Sequence, residues 1–379
     1  MNVSHLRRRP LRLFAGLAGV SCLVLALGAA ASPASSSAIT SLPGQLLSVS
    51  AVSASDAWAV GVGGTGTLIL HWNGTSWTQV ASPSPGTFPS LAAVVAVSRS
   101  DVWAVGSYRT SSGGFKTLIL HWNGTSWTRM PSPSPEVTDG SFLTGVSAVS
   151  ASDAWAVGWY YLTGGEASNT LILHWNGTSW TRMPSPNPSH LGFNVLNSAS
   201  AQSASAVWAA GSIDTGTLIL RGNGISWTRV PTPGRVAPDV LNGISAVSAS
   251  DAWAAGATAA GTLLLHWNGT SWARVPSPNP AQDGNFSLLN SVSAVSPSDA
   301  WAAGTYSTAS SGTKSLALHW NGVLWTQVAT PNPGGATGTS LAGVSATSPY
   351  NVWAVGDTSP GSGGKTLILH WNGSSWTRF

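Results

Sequence analysis

Seven copies of one sequence pattern make up most of this chain. Each copy has Asp-Ala-Trp-Ala-Val-Gly, a variable segment, and then Thr-Leu-Ile-Leu-His-Trp-Asn-Gly-Thr-Ser-Trp-Thr, or close variants of these. A period of this length is typical of solenoids, propellers and repeat arrays, in which each unit buries its apolar face against its neighbours. The first tryptophans of the copies are 45 to 53 residues apart, at Trp58, Trp103, Trp155, Trp208, Trp253, Trp301 and Trp353.

The third copy indicates that one repeat contains four short β-strands, here called A to D. Residues 143–150 and 154–158 are rich in small and β-branched residues and predict strands A and B. Residues 170–175 predict strand C, and residues 180–183 predict strand D. Between strands C and D, Asn176-Gly177 favours a type I′ hairpin turn, which needs positive φ at both positions. Four hairpin-linked strands form one antiparallel sheet.

Strand C is apolar at nearly every position, so both faces of each sheet must be covered. Stacking seven such sheets around an axis covers them all, and we therefore predict an all-β fold, a seven-bladed β-propeller. Three tryptophans per repeat fill the space between blades, except that Gly222 replaces one and Trp159 is an extra. We expect blade 1 to pack on blade 7, helped by residues 39–45. The predicted blades are about 46–80, 91–130, 143–183, 195–230, 241–275, 289–328 and 341–379.

The repeat resembles motifs of known propellers. Asn-Gly-Thr-Ser-Trp resembles the Asp-box of sialidase-type repeats, with Asn in place of Asp. Trp-Ala-Val-Gly before a loop and a Trp-ended hairpin is similar to bacterial BNR-like propellers, including the photosystem II assembly-factor family, and kelch propellers have a comparable period. The resemblance covers about residues 46–379. It implies the fold but not the function, because enzymes, lectins and scaffolds share these motifs.

The N-terminal residues have the pattern of a secretory signal peptide. Four arginines within the first twelve residues precede an apolar stretch over residues 13–31, and Ala29-Ala30-Ala31 offers a cleavage site. We predict a signal peptide over 1–31, a linker over 32–45 and a secreted or cell-surface protein. The alternative is an uncleaved membrane anchor. Without those arginines the chain has 12 basic and 12 acidic side chains, which argues against nucleic-acid binding.

Two recurring polar positions invite a catalytic or metal interpretation. A histidine precedes the strand C tryptophan in six copies, and an aspartate precedes strand B in five. Equivalent positions in neighbouring blades are at least about 10 Å apart, too far for histidines to share one zinc ion. We predict that the histidines are structural, that the aspartates cap the A–B turns, and that the protein holds no metal or cofactor.

Variation between the copies is concentrated on one side of the predicted propeller. The A–B and C–D turns share the turn face and barely vary, whereas the B–C loops and D–A linkers share the loop face and differ in length and content. Binding residues usually lie on loops of a rigid scaffold. The alternative for residues 159–161 is that they merely continue strand B and pack on a neighbouring loop. The candidate ligand-binding residues are Tyr108, Arg109, Trp159, Tyr160, Tyr161, Glu166, His190 and Tyr306.

Three functions remain open at this point. We favour an extracellular, monomeric binding propeller whose loop face takes a glycan or a protein; it would meet a membrane only if the signal segment stays uncleaved. This function predicts a concave pocket lined by Trp159 or Tyr161. A passive scaffold predicts a flat face rich in serine and glycine. A glycoside hydrolase or lyase-type enzyme predicts two carboxylates about 5–10 Å apart, with perturbed pKa values.

Overall fold

The protein forms seven four-stranded antiparallel sheets, and this confirms the predicted all-β, seven-bladed propeller. The computed structural model describes residues 41–135, 140–190, 192–234, 239–281, 285–308, 312–333, 338–358 and 364–379. Predictions for residues 1–40, the signal segment among them, lie outside the described residues. Among the residues described, no helix is long and apolar enough to span a membrane.

Each blade is one continuous stretch of chain, and its strands pair in sequence order. Blade 1 contains β1 Gly44–Ser53, β2 Asp56–Gly63, β3 Gly66–Trp72 and β4 Trp77–Gln79; blade 2 contains β5 Thr87–Ser98, β6 Asp101–Arg109, β7 Phe115–Trp122 and β8 Trp127–Met130. Blade 3 contains β9 Ser141–Ser150, β10 Asp153–Tyr161, β11 Ser168–Trp175 and β12 Trp180–Met183; blade 4 contains β13 Asn194–Ser203, β14 Ala206–Ile213, β15 Gly216–Gly222 and β16 Trp227–Val230; blade 5 contains β17 Val240–Ser248, β18 Asp251–Thr258, β19 Gly261–Trp267 and β20 Trp272–Arg274. Blade 6 contains β21 Ser287–Ser296, β22 Asp299–Thr308, β23 Gly312–Trp320 and β24 Trp325–Val328; blade 7 contains β25 Thr339–Ser348, β26 Asn351–Thr358, β27 Lys365–Trp371 and β28 Trp376–Arg378.

The C–D hairpins are present, but the predicted type I′ turn is wrong. Trp175 pairs directly with Trp180, which leaves a four-residue loop. Only Gly177 has positive φ, whereas a type I′ turn needs positive φ at Asn176 as well. The Asn176 Oδ1 instead accepts the backbone N–H groups of Thr178 and Ser179, both at 3.0 Å. The asparagine therefore organises the turn through its side chain rather than its backbone.

Tryptophans join each blade to the next. Trp58 of strand β2 lies against Trp122 and Trp127 of blade 2, with ring centroids 5.1 and 5.4 Å apart. The same cluster recurs around the ring with separations of 4.9 to 5.5 Å. Between blades 3 and 4 it has two rings, because Gly222 occupies the third position and Trp227 lies against its backbone. These clusters are the apolar core between blades.

Small residues let the seven A strands converge on the axis. A Cβ atom at Gly145 would lie 2.8 Å from the Cα of Ser198 in the next blade. Serine hydroxyls link these strands, since the backbone N–H of Val94 donates to Ser48 Oγ and that of Ala96 donates to Ser50 Oγ. Such bonds satisfy backbone donors that have no partner within their own sheet. A central cavity of about 150 Å³ remains, lined by A-strand residues of all seven blades.

The ring closes through the same packing that joins the other blades. Trp353 of blade 7 lies 5.1 Å from both Trp72 and Trp77 of blade 1, and Phe379 packs on Trp353 as well. The segment before β1 adds hydrogen bonds: Leu42 N–H donates to the Thr366 hydroxyl, and Thr366 N–H donates to the Leu42 carbonyl. The described part of the segment expected to assist closure therefore pairs with strand C of blade 7.

Candidate functional site

The recurring aspartates and histidines of the turn face bind each other within single blades. Asp56 Oδ1 lies 3.0 Å from His71 Nε2, and this histidine stacks on Trp58 with centroids 4.1 Å apart. The prediction that the aspartate caps the A–B turn is wrong, because Ser53 Oγ accepts the Ser55 N–H there. The other carboxylate–histidine pairs, at 2.7 to 3.3 Å, are Asp101–His121, Asp153–His174, Asp251–His266 and Asp299–His319.

Two blades replace this pair. In blade 4, Ala206 and Arg221 occupy the two positions, and the Arg221 guanidinium lies 5.1 Å from the Trp208 ring, a cation–π contact. In blade 7, Asn351 Oδ1 takes the place of the carboxylate and lies 2.7 Å from His370 Nε2. Burial lowers the pKa of His370. Within the described ranges, no three His, Cys, Asp or Glu side chains are grouped to hold a metal ion.

On the loop face, two of the candidate tyrosines are buried at equivalent positions near the end of strand B. Arg129 Nη2 donates to the Tyr108 hydroxyl and Arg182 Nη2 donates to the Tyr160 hydroxyl, at 2.5 and 2.6 Å. Each guanidinium also lies over the tyrosine ring, at 4.6 and 4.7 Å from its centroid. Tyr306 occupies the same position in blade 6 and is half-buried. The first two tyrosines are therefore engaged with strand D of their own blades.

Residues 159–161 continue strand β10 to the rim of the loop face. Trp159 is 4% exposed and stacks on Phe142, with ring centroids 4.5 Å apart. Tyr161 is half-buried and lies edge-on to Trp159 at 4.8 Å, and Phe115 of blade 2 lies 5.1 Å from Phe142. We call these four side chains the aromatic cluster. It crosses from blade 2 to blade 3, and its half-buried rings are Phe115, Phe142 and Tyr161.

The remaining candidate residues are exposed and do not form one cluster. Arg109 ends strand β6 beside Phe115, its partner in the sheet, and its Nε donates to the Gly113 carbonyl at 2.9 Å. Glu166 lies in the B–C loop of blade 3, and His190 lies in the linker to blade 4. The structure thus brings Arg109, Trp159 and Tyr161 to the boundary of blades 2 and 3. Ligand binding by the eight candidate residues stays a prediction.

Phenylalanine was missed as a marker of the loop face. Phe88 and Phe286 are both 46% exposed, and Phe88 has φ of 51°, a left-handed conformation that bulky residues rarely adopt. Such backbone strain is concentrated at functional sites. A count by repeat position could have found this signal, because five of the seven phenylalanines lie on the loop face. They are Phe88, Phe115, Phe142, Phe193 and Phe286.

Neither the central cavity nor a second cavity is lined by Trp159 or Tyr161. The central cavity is lined by the A strands, and a second one of about 310 Å³ lies at the outer rim beside Pro131, Pro133 and Trp175. At the aromatic cluster, Phe115, Phe142 and Tyr161 are half-buried and therefore partly accessible to solvent. Burial raises the pKa of Asp357, although the hydrogen bond from Ser340 acts to lower it. Burial also raises the pKa of Asp239, although the positive charge of Arg274 acts to lower it. These carboxyl groups lie in blade 7 and before blade 5, so blade 6 separates them.

Comparisons with known proteins agree with this architecture. No family model and no curated protein sequence matches the chain. Among solved structures, YCF48 bound to D1 peptide is 15% identical, with a TM-score of 0.55 over 88% of this chain and 94% of that one. YCF48 from Cyanidioschyzon merolae is 14% identical, with a TM-score of 0.53 and coverage of 87% and 96%.

A GH74 xyloglucanase from Xanthomonas campestris is also similar, with 13% identity, a TM-score of 0.57 and coverage of 90% of this chain and 55% of that one. The neighbours therefore include a peptide-binding protein and an enzyme. At these identities the likeness shows the fold alone, and a propeller fold does not determine a function.

Proposed function

We propose that this protein is a secreted binding propeller that takes a glycan on its loop face. The observation that carries the proposal is the aromatic cluster, which crosses the boundary of blades 2 and 3 with three half-buried rings. The repeat does not require these rings, since the equivalents of Trp159 in the other blades are Val, Ser, Ala, Thr or Asp. Exposed ring faces stack on the apolar C–H faces of sugars, and aromatic side chains are common binding anchors.

The position of these rings favours binding of an extended ligand. Phe115 lies in blade 2, whereas Phe142 and Tyr161 lie in blade 3, and all three are partly exposed, so a polymer that crosses the blade boundary can contact them together. Catalysis receives less support. A glycosidase needs two carboxylates about 5–10 Å apart, and the two carboxyl groups with raised pKa lie on opposite sides of blade 6.

Export is part of the proposal and has its own test. The basic start of the chain, the apolar stretch to Ala31 and the BNR-like repeats are typical of secreted bacterial propellers. We expect cleavage after Ala31. Mass spectrometry of the protein recovered from the medium should show a new N-terminus at Ser32. Retention of residues 1–31 in a membrane fraction would contradict cleavage.

A glycan-array screen with a pair of tyrosine variants tests ligand binding. Tyr161→Ala removes one ring of the aromatic cluster, and Tyr350→Ala makes the same change at a turn-face tyrosine that is 70% exposed. Loss of an anchoring aromatic typically costs at least about 2 kcal/mol, which corresponds to a roughly 30-fold weaker Kd. We expect that loss for Tyr161→Ala only. Equal binding by both variants would place the ligand elsewhere, and a protein that binds no glycan would refute the proposal.

A further inference from the structure

The three lysines of the chain occupy one repeat position on the loop face. Each lies at the start of strand C and pairs with the strand B residue that is five positions after the tryptophan of strand B. Lys116 pairs with Tyr108, Lys314 with Tyr306 and Lys365 with Thr358. Lys116 and Lys365 are exposed, and Lys314 is half-buried.

The described lysines of the loop face lie in blades 6, 7 and 2, and the one acidic residue described among them, Asp357 of blade 7, is buried and accepts a hydrogen bond from Ser340. Blades 6, 7 and 2 carry the three lysines and Arg109, and none of these four takes part in a salt bridge among the described residues. Blades 3 and 4 carry Glu166 and Asp214, and Asp214 accepts hydrogen bonds from Ser189 and from the Phe193 backbone. Glu136, Asp139 and Asp283 lie outside the described residues.

We infer that the half of the loop face formed by blades 6, 7, 1 and 2 binds an acidic polysaccharide. This inference rests on the proposed glycan binding and names the class of glycan. Adjacent blades are about 10 Å or more apart, so an arc from blade 6 to blade 2 extends over roughly 30 Å. A polymer with regularly repeated carboxylates or sulfates matches lysines that occur at one repeat position in three of these four blades.

The aromatic residues of the same blades favour sugar acids over an acidic peptide. Phe286 precedes strand A of blade 6, and Phe88 lies at the start of strand A in blade 2; both are 46% exposed. Blades 6 and 2 thus each offer a lysine and an exposed ring. A uronic acid presents a carboxylate and an apolar C–H face on one ring, and these two features match that combination.

Titration of the full protein with polygalacturonate tests the inference, with neutral dextran and poly-L-glutamate as reference polymers. The triple variant Lys116→Gln, Lys314→Gln and Lys365→Gln removes the three lysines of these blades and leaves Arg109 in place. The variant Arg229→Gln, Arg274→Gln and Arg378→Gln removes the same charge from outer strands β16, β20 and β28. Thermal denaturation confirms that both remain folded.

We expect polygalacturonate to bind and the lysine variant to bind about 10- to 100-fold more weakly, since each exposed ion pair contributes a factor of about two to five. The arginine variant should bind like the parent, and added salt should weaken binding by screening. Absence of polygalacturonate binding, equal affinity for dextran, tighter binding of poly-L-glutamate or equal losses in both variants would overturn the inference. Array hits confined to neutral glycans and lost in Tyr161→Ala would overturn it while leaving the proposed function intact.

Discussion

Replacing Asn351 by aspartate should reverse the response of blade 7 to acid. Asn351 is 7% exposed, and its Oδ1 lies 2.7 Å from His370 Nε2. Five other blades have a carboxylate at this position, for example Asp299 at 2.9 Å from His319. Blade 7 alone therefore has a histidine whose partner is neutral, and burial lowers the pKa of that histidine.

The sign of the pH dependence follows from the direction of this shift. Because the folded-state pKa of His370 is below its unfolded value of about 6.5, the unfolded chain binds the proton more readily. The free energy of unfolding therefore falls as the pH decreases through about 6.5, until the folded-state pKa is passed. In Asn351→Asp the carboxylate favours the protonated imidazole, so this loss should shrink or become a gain.

The size of the effect follows from the geometry. An opposite charge within about 4–6 Å raises a histidine pKa by roughly 1–3 units. The His370 ring is half-buried, so solvent screening places the expected rise at the lower end, about one unit. One pKa unit corresponds to about 1.4 kcal/mol, and this is the expected gain at acidic pH relative to neutral pH.

NMR titration of the His370 Hε1 signal measures the pKa directly, and urea denaturation at about pH 5.5 and about pH 7.5 measures the change in stability. Comparing the two pH values within each protein cancels the constant cost of burying the new carboxylate. The matched control is Asp299→Asn, which makes the reverse exchange beside His319 in blade 6. An unchanged His370 pKa in Asn351→Asp would refute the electrostatic reasoning.

Three further predictions concern packing and burial. Asp357→Asn should stabilise the protein at pH 7, because burial raises the pKa of this carboxyl and its charged form is disfavoured; the gain in the urea midpoint should vanish below about pH 4. Gly222→Trp restores the repeat pattern but should destabilise the protein by about 1–3 kcal/mol, since a Cβ at residue 222 would lie 2.9 Å from Trp227; a higher melting temperature would contradict this. Trp353→Ala and Trp253→Ala should each cost about 3–5 kcal/mol in urea denaturation, and a much smaller cost for Trp353 would show that closure contributes little.

The fold could be predicted because its main determinant is local and repeated. One apolar strand C with no polar face requires cover on both sides, and seven copies supply that cover only by stacking. The tryptophan count also follows from this logic, including the gap at Gly222. The turn type at Asn176 was wrong because an Asx side chain can replace the backbone in shaping a loop, and sequence propensity does not distinguish the two.

Contacts between separate repeat positions were harder to predict. The sequence predicts independent roles for Asp56 and His71, although in blade 4 both positions differ at once, with Ala206 and Arg221 in their places. This joint replacement is evidence in the sequence that the two residues pair. The burial of Trp159 could not be predicted from the repeat, since it depends on Phe142, which pairs with Trp159 from strand β9 and is not part of the repeated pattern.

The two faces differ because the repeat constrains them differently. On the turn face, the A–B turn is bonded to strand C in six of the seven blades; in blade 1, Trp72 Nε1 donates to the Ala54 carbonyl and Asp56 binds His71. A change there breaks a contact that six blades use, so variation is costly. On the loop face, strand C is held mainly through its first threonine, as Thr67 contacts the linker at Ser82 and Ser84. The residues before that threonine are free to differ, and the three lysines occur at this position. New recognition chemistry can therefore arise there without loss of the fold.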